Sequence, residues 1–436
     1  MRKIKSLARE SWSVSWPMAL IMACVFLIGL TDVYVAGKLG KQIQASYGIA
    51  AQLYFIFTIA ASSLSIGSVS VVSRLFTSGR KEEFNAAIDS SITIAIALGI
   101  LFSSLGFIFA KSIVYSLNLP QEIKVFVAAL IKIFSLGLLF SYFFLNTNAL
   151  LRACGMVKKS LWSMGIVCFL NIVLNLTLAL KTPLKFKGIA YATLISTFAG
   201  CLLNTFFIRK IMSGFFKFSF DAVKKIFRIG WPAGLLQILW QLGYMVLYLI
   251  LSILPEHNIE ILAAFTNGLK IEAAIFLPAF AFNMANAVVV GNVLGKENKD
   301  DAYSAGLVTA WGGVAIISML TIITLLNAKM IAAFLSQDAI VVKEILRYIY
   351  ISMISEPFMA WGVILSGGLN GAGDTKSVMM IVALSMWLVR LPLCYILGIY
   401  FGLGAAAVWW SMNASIVVQM VLVTRRYFTR KWLYRV

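Results

Sequence analysis

The sequence predicts an all-α, polytopic membrane protein with twelve transmembrane helices in two pseudo-symmetric six-helix lobes. Composition comes first: of 436 residues, 61% are apolar and 12% charged, against roughly half apolar and about a quarter charged in soluble domains. The apolar residues also fall into about a dozen runs of the ~20 residues that a spanning helix needs. These runs lack the alternation in ~10-residue segments that marks a membrane β-barrel. An ordinary soluble enzyme is excluded.

The first six spans are expected near 14–36, 47–73, 86–110, 124–150, 160–180 and 187–208, and the second six near 228–253, 260–293, 303–327, 342–370, 377–400 and 403–424. An even number of spans puts both termini on one side. Assigning them to the cytoplasm places 24 of the 37 Lys and Arg residues there and nine opposite, with Lys132, Lys270, Arg347 and Arg390 inside or at the edges of spans. This is the bias of an inner-membrane protein, so the net charge of +20 reflects topology and a lipid partner rather than nucleic acid. The basic stretch between spans six and seven reads as a connection at anionic headgroups. It divides the chain into a lobe over 1–212, a cytoplasmic linker over 213–227 and a lobe over 228–436. The start is too long in its apolar part for a signal peptide, and no cleavage is expected. The five cysteines form no C-x-x-C pair, so no disulfide framework or metal cluster is expected.

An internal repeat relates the halves. Adding 218 carries Ile43–Ala51 onto Ile261–Leu269, Lys81-Glu82-Glu83 onto Lys299-Asp300-Asp301, and Leu151, Gly155 and Lys158 onto Leu369, Gly373 and Lys376. Trp16-Pro17 recurs as Trp231-Pro232 at an offset of 215. Halves with an even number of spans insert in the same direction, which gives parallel repeats about an axis along the membrane normal. Transporters built this way bind substrate near the midplane.

Several motifs carry a family resemblance. The loop after the tenth span, Gly367-Gly-Leu-Asn-Gly-Ala-Gly-Asp-Thr-Lys376, is similar to an L-R-G-x-G-D-T hallmark with Asn370 at the Arg position. Gly268-Leu-Lys-Ile-Glu272 through Val290-Gly291-Asn-Val-Leu-Gly295 resembles a second signature, and Pro17, Asp32 and Asn171-x-x-x-Asn175 match further positions. Together they resemble the multidrug and toxic compound extrusion (MATE) family over nearly the whole chain. The resemblance implies a two-lobe exporter that exchanges organic cations or amphipathic drugs for inward-moving Na⁺ or H⁺, with no cofactor beyond that coupling ion. The chain departs from some members at Trp240-Gln241, where they carry a glutamate.

Three acids, Asp32, Glu272 and Glu356, lie well inside expected spans. A charged group at a helix centre costs about 2.5–3.5 kcal/mol on insertion scales, so each needs a cavity, a partner or a cation. Asn171 and Asn175, four apart, share one helix face. With Asp32, and with Thr193, which matches a family position, they offer oxygen ligands suited to Na⁺, or a carboxyl group poised for a proton. Apart from this possible Na⁺ at Asp32, no metal is expected. Interhelical glue is the other reading of the two amides and the hydroxyl. Glu272 sits two residues after Lys270, so the two do not face each other. Glu356 precedes Pro357, whose ring can open a kink, and it either binds a cationic substrate or pairs with Lys270 or Arg390. Trp240, Tyr244 and Phe276 suggest a soft aromatic lining for varied cations. Pro232 reads as a first-turn proline, and Pro17 as either that or a switching kink. Asp374 reads as an N-cap, and Thr375 breaks any Walker pattern.

Two other functions compete. An intramembrane enzyme would need more than the single histidine, His257, in an outer loop. A flippase for lipid-linked oligosaccharides would need a basic lining, to which Lys132, Lys270 and Arg390 could contribute against the three buried acids. A monomer is expected, because two lobes already supply a pathway.

Overall fold

The computed structural model describes residues 2–212 and 216–434, with side chains from residue 5 onward. Residues 213–215 of the expected linker, the side chains of Arg2 and Lys3, and Arg435 lie outside the described residues. Lipid offers no hydrogen bonds, so an apolar run must satisfy its backbone internally as helix. Among the described residues, twelve helices are long and apolar enough to span a membrane and no strand occurs. In chain order they are α1 (Arg2–Leu39), α2 (Lys41–Thr77), α3 (Lys81–Ser116), α4 (Gln121–Ala153), α5 (Val157–Ala179) and α6 (Phe186–Ile208). The second half comprises α7 (Phe220–Ser252), α8 (Asn258–Gly295), α9 (Lys299–Leu326), α10 (Ala339–Gly371), α11 (Thr375–Tyr400) and α12 (Gly404–Phe428).

Most helices run past the apolar windows into polar flanks, and this corrects the reading of Pro232 and removes the first-turn alternative for Pro17. Pro17 and Pro232 both lie inside continuous helices rather than in first turns. For Pro232 the reason is that α7 starts at Phe220, within the stretch assigned to the linker. Irregular turns interrupt other helices. A 3₁₀ turn, Met353–Ser355, breaks α10 just before Glu356-Pro357, where the proline starts the next helical segment. The last residues of α5, Asn175–Ala179, form a π turn, and α11 carries π turns at Ser385–Arg390 and Ile396–Tyr400. A short helix, Ala328–Leu335, lies in a connection expected to be a loop.

The repeat reappears in hydrogen bonding. After α4, Met156 N–H donates to Leu151 C=O at 2.9 Å, with Gly155 at φ 72°. After α10, Asp374 N–H donates to Leu369 C=O at 2.8 Å, with Gly373 at φ 83°. Both ends are Schellman caps, and glycine supplies the left-handed residue in each. Packing repeats too: α4 is flanked by α2, α3 and α6, and α10 by α8, α9 and α12.

The chain forms two compact units that do not follow its sequential halves: Leu20–Gly234, and Met1–Ala19 with Leu235–Val436. The first half of α1 packs with the later spans. Leu7 joins Val289 and Ala305 in an apolar cluster, and the Ser11 and Thr309 hydroxyls bond at 2.8 Å. The first half of α7 packs with the earlier spans. Ile226 is buried beside Val72 and Leu151, Ser63 Oγ donates to Gly230 C=O at 2.7 Å, and Asp89 Oδ2 accepts Lys217 N–H at 2.9 Å just upstream. The unit boundaries fall two residues after Pro17 and two after Pro232.

Candidate functional site

Within the unit Leu20–Gly234, the structure gathers all four residues expected to couple ions. Asp32, on the second half of α1, is 5% exposed. Tyr47 of α2 donates its O–H to Asp32 Oδ2 at 2.8 Å, and Asn175 donates Nδ2–H to Asp32 Oδ1. The same Asn175 Nδ2 lies 3.3 Å from Asn171 Oδ1, and Asn171 Nδ2 donates to Thr193 Oγ1 at 3.4 Å. Asn175 opens the π turn of α5, a distortion that recurs at functional positions in helices. Asn171 and Asn175 are fully buried, and Asn175 Oδ1 has no hydrogen-bond partner. A buried carbonyl oxygen left unpaired beside a carboxylate is unfavourable until something positive reaches it.

Tyr47 was not singled out in the sequence, although a signal existed. Asp32 is eight residues before the α1–α2 junction at Gly40 and Tyr47 seven after it, so a hairpin brings them to one depth. Among the described residues no group of three or more His, Cys, Asp or Glu side chains could hold a metal.

A second cluster lies wholly within the other unit, around a cavity of about 360 Å³. Its lining includes Glu356, Trp240, Tyr244 and Phe276, expected at the substrate, together with Glu272, the other acid expected inside the spans of this half and a candidate for the same role, and also Gln241, Met359, Met412, Met420 and Arg390. Glu272 Oε1 accepts the Tyr348 O–H at 2.6 Å. Glu356, placed by the 3₁₀ turn, is 3% exposed, and its Oε2 has no partner. Arg390 closes a π turn and is also 3% exposed. Its Nε donates to Ser415 Oγ at 2.8 Å and its guanidinium lies 5.7 Å from the Trp240 ring centre, while Nη1 has no partner.

The pairings considered for these acids do not form. Lys270 makes no ion pair with Glu272 or Glu356 among the described residues, and neither does Arg390 within 4.0 Å. Lys132 and Lys270 are exposed and absent from the cavity lining, so of the three basic candidates only Arg390 reaches it.

Three further acids are buried, each with its own partner. Asp374 sits at the N-cap position of α11, but its carboxylate makes no capping bond there. It accepts Ser377 Oγ–H at 2.7 Å and Arg426 Nε–H at 2.6 Å instead. Asp89 holds the segment ahead of α7, and Glu344 pairs with Arg347 at 3.1 Å.

Two repeat-related sets of six spans, each with buried charge inside, have the build of a secondary transporter. The MatE family model matches residues 17–177 and again 232–396, once per repeat, and the chain belongs to that family. It is a multi-pass membrane transporter and not an enzyme. A probable multidrug resistance protein NorM of Thermotoga maritima is 24% identical over 93% of this chain and 89% of its own. The uncharacterized transporter YisQ of Bacillus subtilis is 21% identical over 97% and 95%. Among solved structures, the Vibrio cholerae MATE transporter VcmN in the bent form superposes with a TM-score of 0.91 over 100% of both chains at 17% identity. A MOP-superfamily transporter from Pyrococcus furiosus superposes at 0.90 over 99% and 98%, with 19% identity.

Proposed function

We propose that this transporter is a multidrug exporter, which drives organic cations and amphipathic compounds outward in exchange for inward-moving Na⁺ or H⁺ by alternating access. The observation that carries this reading is the Asp32 cluster, a buried carboxylate beside an unsatisfied Asn175 Oδ1. An ion moving down its gradient neutralises Asp32, satisfies that oxygen and lowers the cost of burying the charge. Coupling follows when the ion binds one conformation more tightly than the other. The multidrug names of relatives such as the Thermotoga maritima protein support the export reading.

In the C-terminal cavity, two carboxylates against one guanidinium, with aromatic and methionine side chains around them, favour cationic amphipathic substrates. The lining also argues against the flippase reading, because a phosphate headgroup calls for an excess of basic groups. We place the protein in the inner membrane as a monomer with both termini cytoplasmic, on the distribution of its Lys and Arg.

The test is dye efflux from proteoliposomes, with a Na⁺ gradient at fixed pH compared against a pH jump without Na⁺. One of the two gradients is expected to drive export and abolition of it to stop export. Efflux indifferent to both would refute antiport.

A further inference from the structure

We infer that residues 216–220 and the first turns of α7 form a docking surface for anionic phospholipids: phenylalanines enter the acyl region of the leaflet, and a basic pocket on α7 takes the phosphate headgroup. The leaflet is the one on the side of the termini, cytoplasmic in the proposed orientation, and binding there is independent of export. Charge along the sequence points only to headgroups at this connection. The structure adds an apolar edge and a pocket.

Ahead of α7 the chain is fastened to α3. Lys217 N–H donates to Asp89 Oδ2 at 2.9 Å, Ser219 N–H donates to Ser90 Oγ at 2.8 Å, and Lys217 Nζ pairs with Glu82 Oε1 at 3.3 Å. The residues that alternate with these, Phe216, Phe218 and Phe220, are 68%, 51% and 74% exposed. Alternation with a period of two sends neighbouring side chains to opposite sides, so three rings project away from α3 along one edge. Their depth follows from the partners. Asp89 and Ser90 lie three and four residues inside the third span expected at 86–110, which sets the segment level with the boundary between headgroups and hydrocarbon. Aromatic rings collect at that boundary, whereas three exposed rings in water would be costly.

The start of α7 continues the surface. Its inner face, Ala222, Ile226 and Gly230, is spaced by four. Ala222 and Ile226 are buried, and a Cβ on Gly230 would lie 2.6 Å from the Ser63 carbonyl oxygen of α2. The outer face carries Lys224, Lys225 and Arg228, which with Asp221 line a cavity of about 240 Å³, and Phe227 beside them is exposed. None of the three cations makes an ion pair among the described residues. Three positive charges against one carboxylate suit a phosphate group. An anionic head joined to apolar chains matches rings beside cations, while a nucleic acid or an acidic peptide would supply the charge and leave the phenylalanines uncovered.

The experiment places the full chain in nanodiscs of mixed phosphatidylcholine and phosphatidylglycerol and reads the lipids retained by native mass spectrometry. The wild type is expected to retain phosphatidylglycerol preferentially. Lys224→Gln/Lys225→Gln/Arg228→Gln is expected to reduce that preference at least about tenfold, while Lys158→Gln/Lys296→Gln/Lys376→Gln, which removes the same charge elsewhere on this side, keeps it. Phe216→Ser/Phe218→Ser/Phe220→Ser leaves every charge in place and is expected to weaken retention of phosphatidylglycerol several-fold. Inorganic phosphate is expected not to displace the lipid, because it brings no acyl chains. Equal retention of the two lipids by the wild type, or an equal loss in both charge variants, would overturn the pocket. Unchanged retention in the phenylalanine variant, or displacement by phosphate alone, would overturn lipid as the occupant.

Discussion

Asp32 is held by donors on both carboxylate oxygens, Tyr47 on one and Asn175 on the other, and Asn175 in turn stands over Asn171 and Thr193. Two roles for the amides can be separated by measurement. If they only join helices, Asn175→Ala lowers thermal stability and leaves ion dependence in place. As part of a coupling site, its loss removes a hydrogen bond to a charged group, worth about 1.5–3 kcal/mol. The ion concentration for half-maximal efflux is then expected to shift by about tenfold or more, checked by titrating the driving ion. At this scale the sequence was informative about identity and less so about partners. Asp32, Asn171 and Asn175 stand out because polar groups in apolar runs are conspicuous. Tyr47 does not, since an interfacial tyrosine is ordinary until the hairpin depth is known, and Arg390, conspicuous inside its span, could be given a cavity only once the π turn placed it.

The elements owe their close approach to small residues, as membrane helices do in the absence of a hydrophobic drive between them. A Cβ on Gly371 of α10 would lie 2.1 Å from the Ala287 carbonyl oxygen of α8, whereas one on Gly312 of α9 meets nothing within 4 Å. Gly371→Ala is therefore expected to lower the Tm, with overpacking of about 1–3 kcal/mol. Gly312→Ala, in an open helix interior, is expected to raise stability by up to about 1 kcal/mol. Thermal unfolding of the two variants in detergent checks both signs.

The prolines of α1 and α7 each lie two residues before the point where the helix passes from one compact unit to the other. A proline removes one intrahelical hydrogen bond and weakens the helix there. Pro17→Ala and Pro232→Ala restore those bonds, and each is expected to slow dye efflux several-fold while dye binding persists. Efflux at the wild-type rate in both variants would remove these prolines from the conformational step. The apolar windows could not reveal this arrangement: hydropathy locates a span but is silent on which neighbours each half of it packs against.

Across the molecule, the number of spans, their order and the repeat were legible because the bilayer imposes helix length and the parallel halves kept a nearly constant offset. The repeat extends to the Schellman caps after α4 and α10 and to the flanking of those two helices by equivalent neighbours. The two charged clusters do not repeat: one combines a carboxylate with amides, the other two carboxylates with an arginine. That asymmetry is consistent with the proposed division of labour between ion and substrate, and sequence similarity between the halves gave no hint of it.

The division of labour stands or falls on Asp32. The most direct measurement is gradient-driven dye efflux from proteoliposomes containing either the wild type or Asp32→Asn, which has nearly the same shape but no charge to neutralise. The account expects dye still to bind Asp32→Asn while gradient-driven export falls at least about tenfold, the consequence of losing more than 1.4 kcal/mol of coupling. Export at the wild-type rate, with unchanged dependence on the gradient, would contradict it.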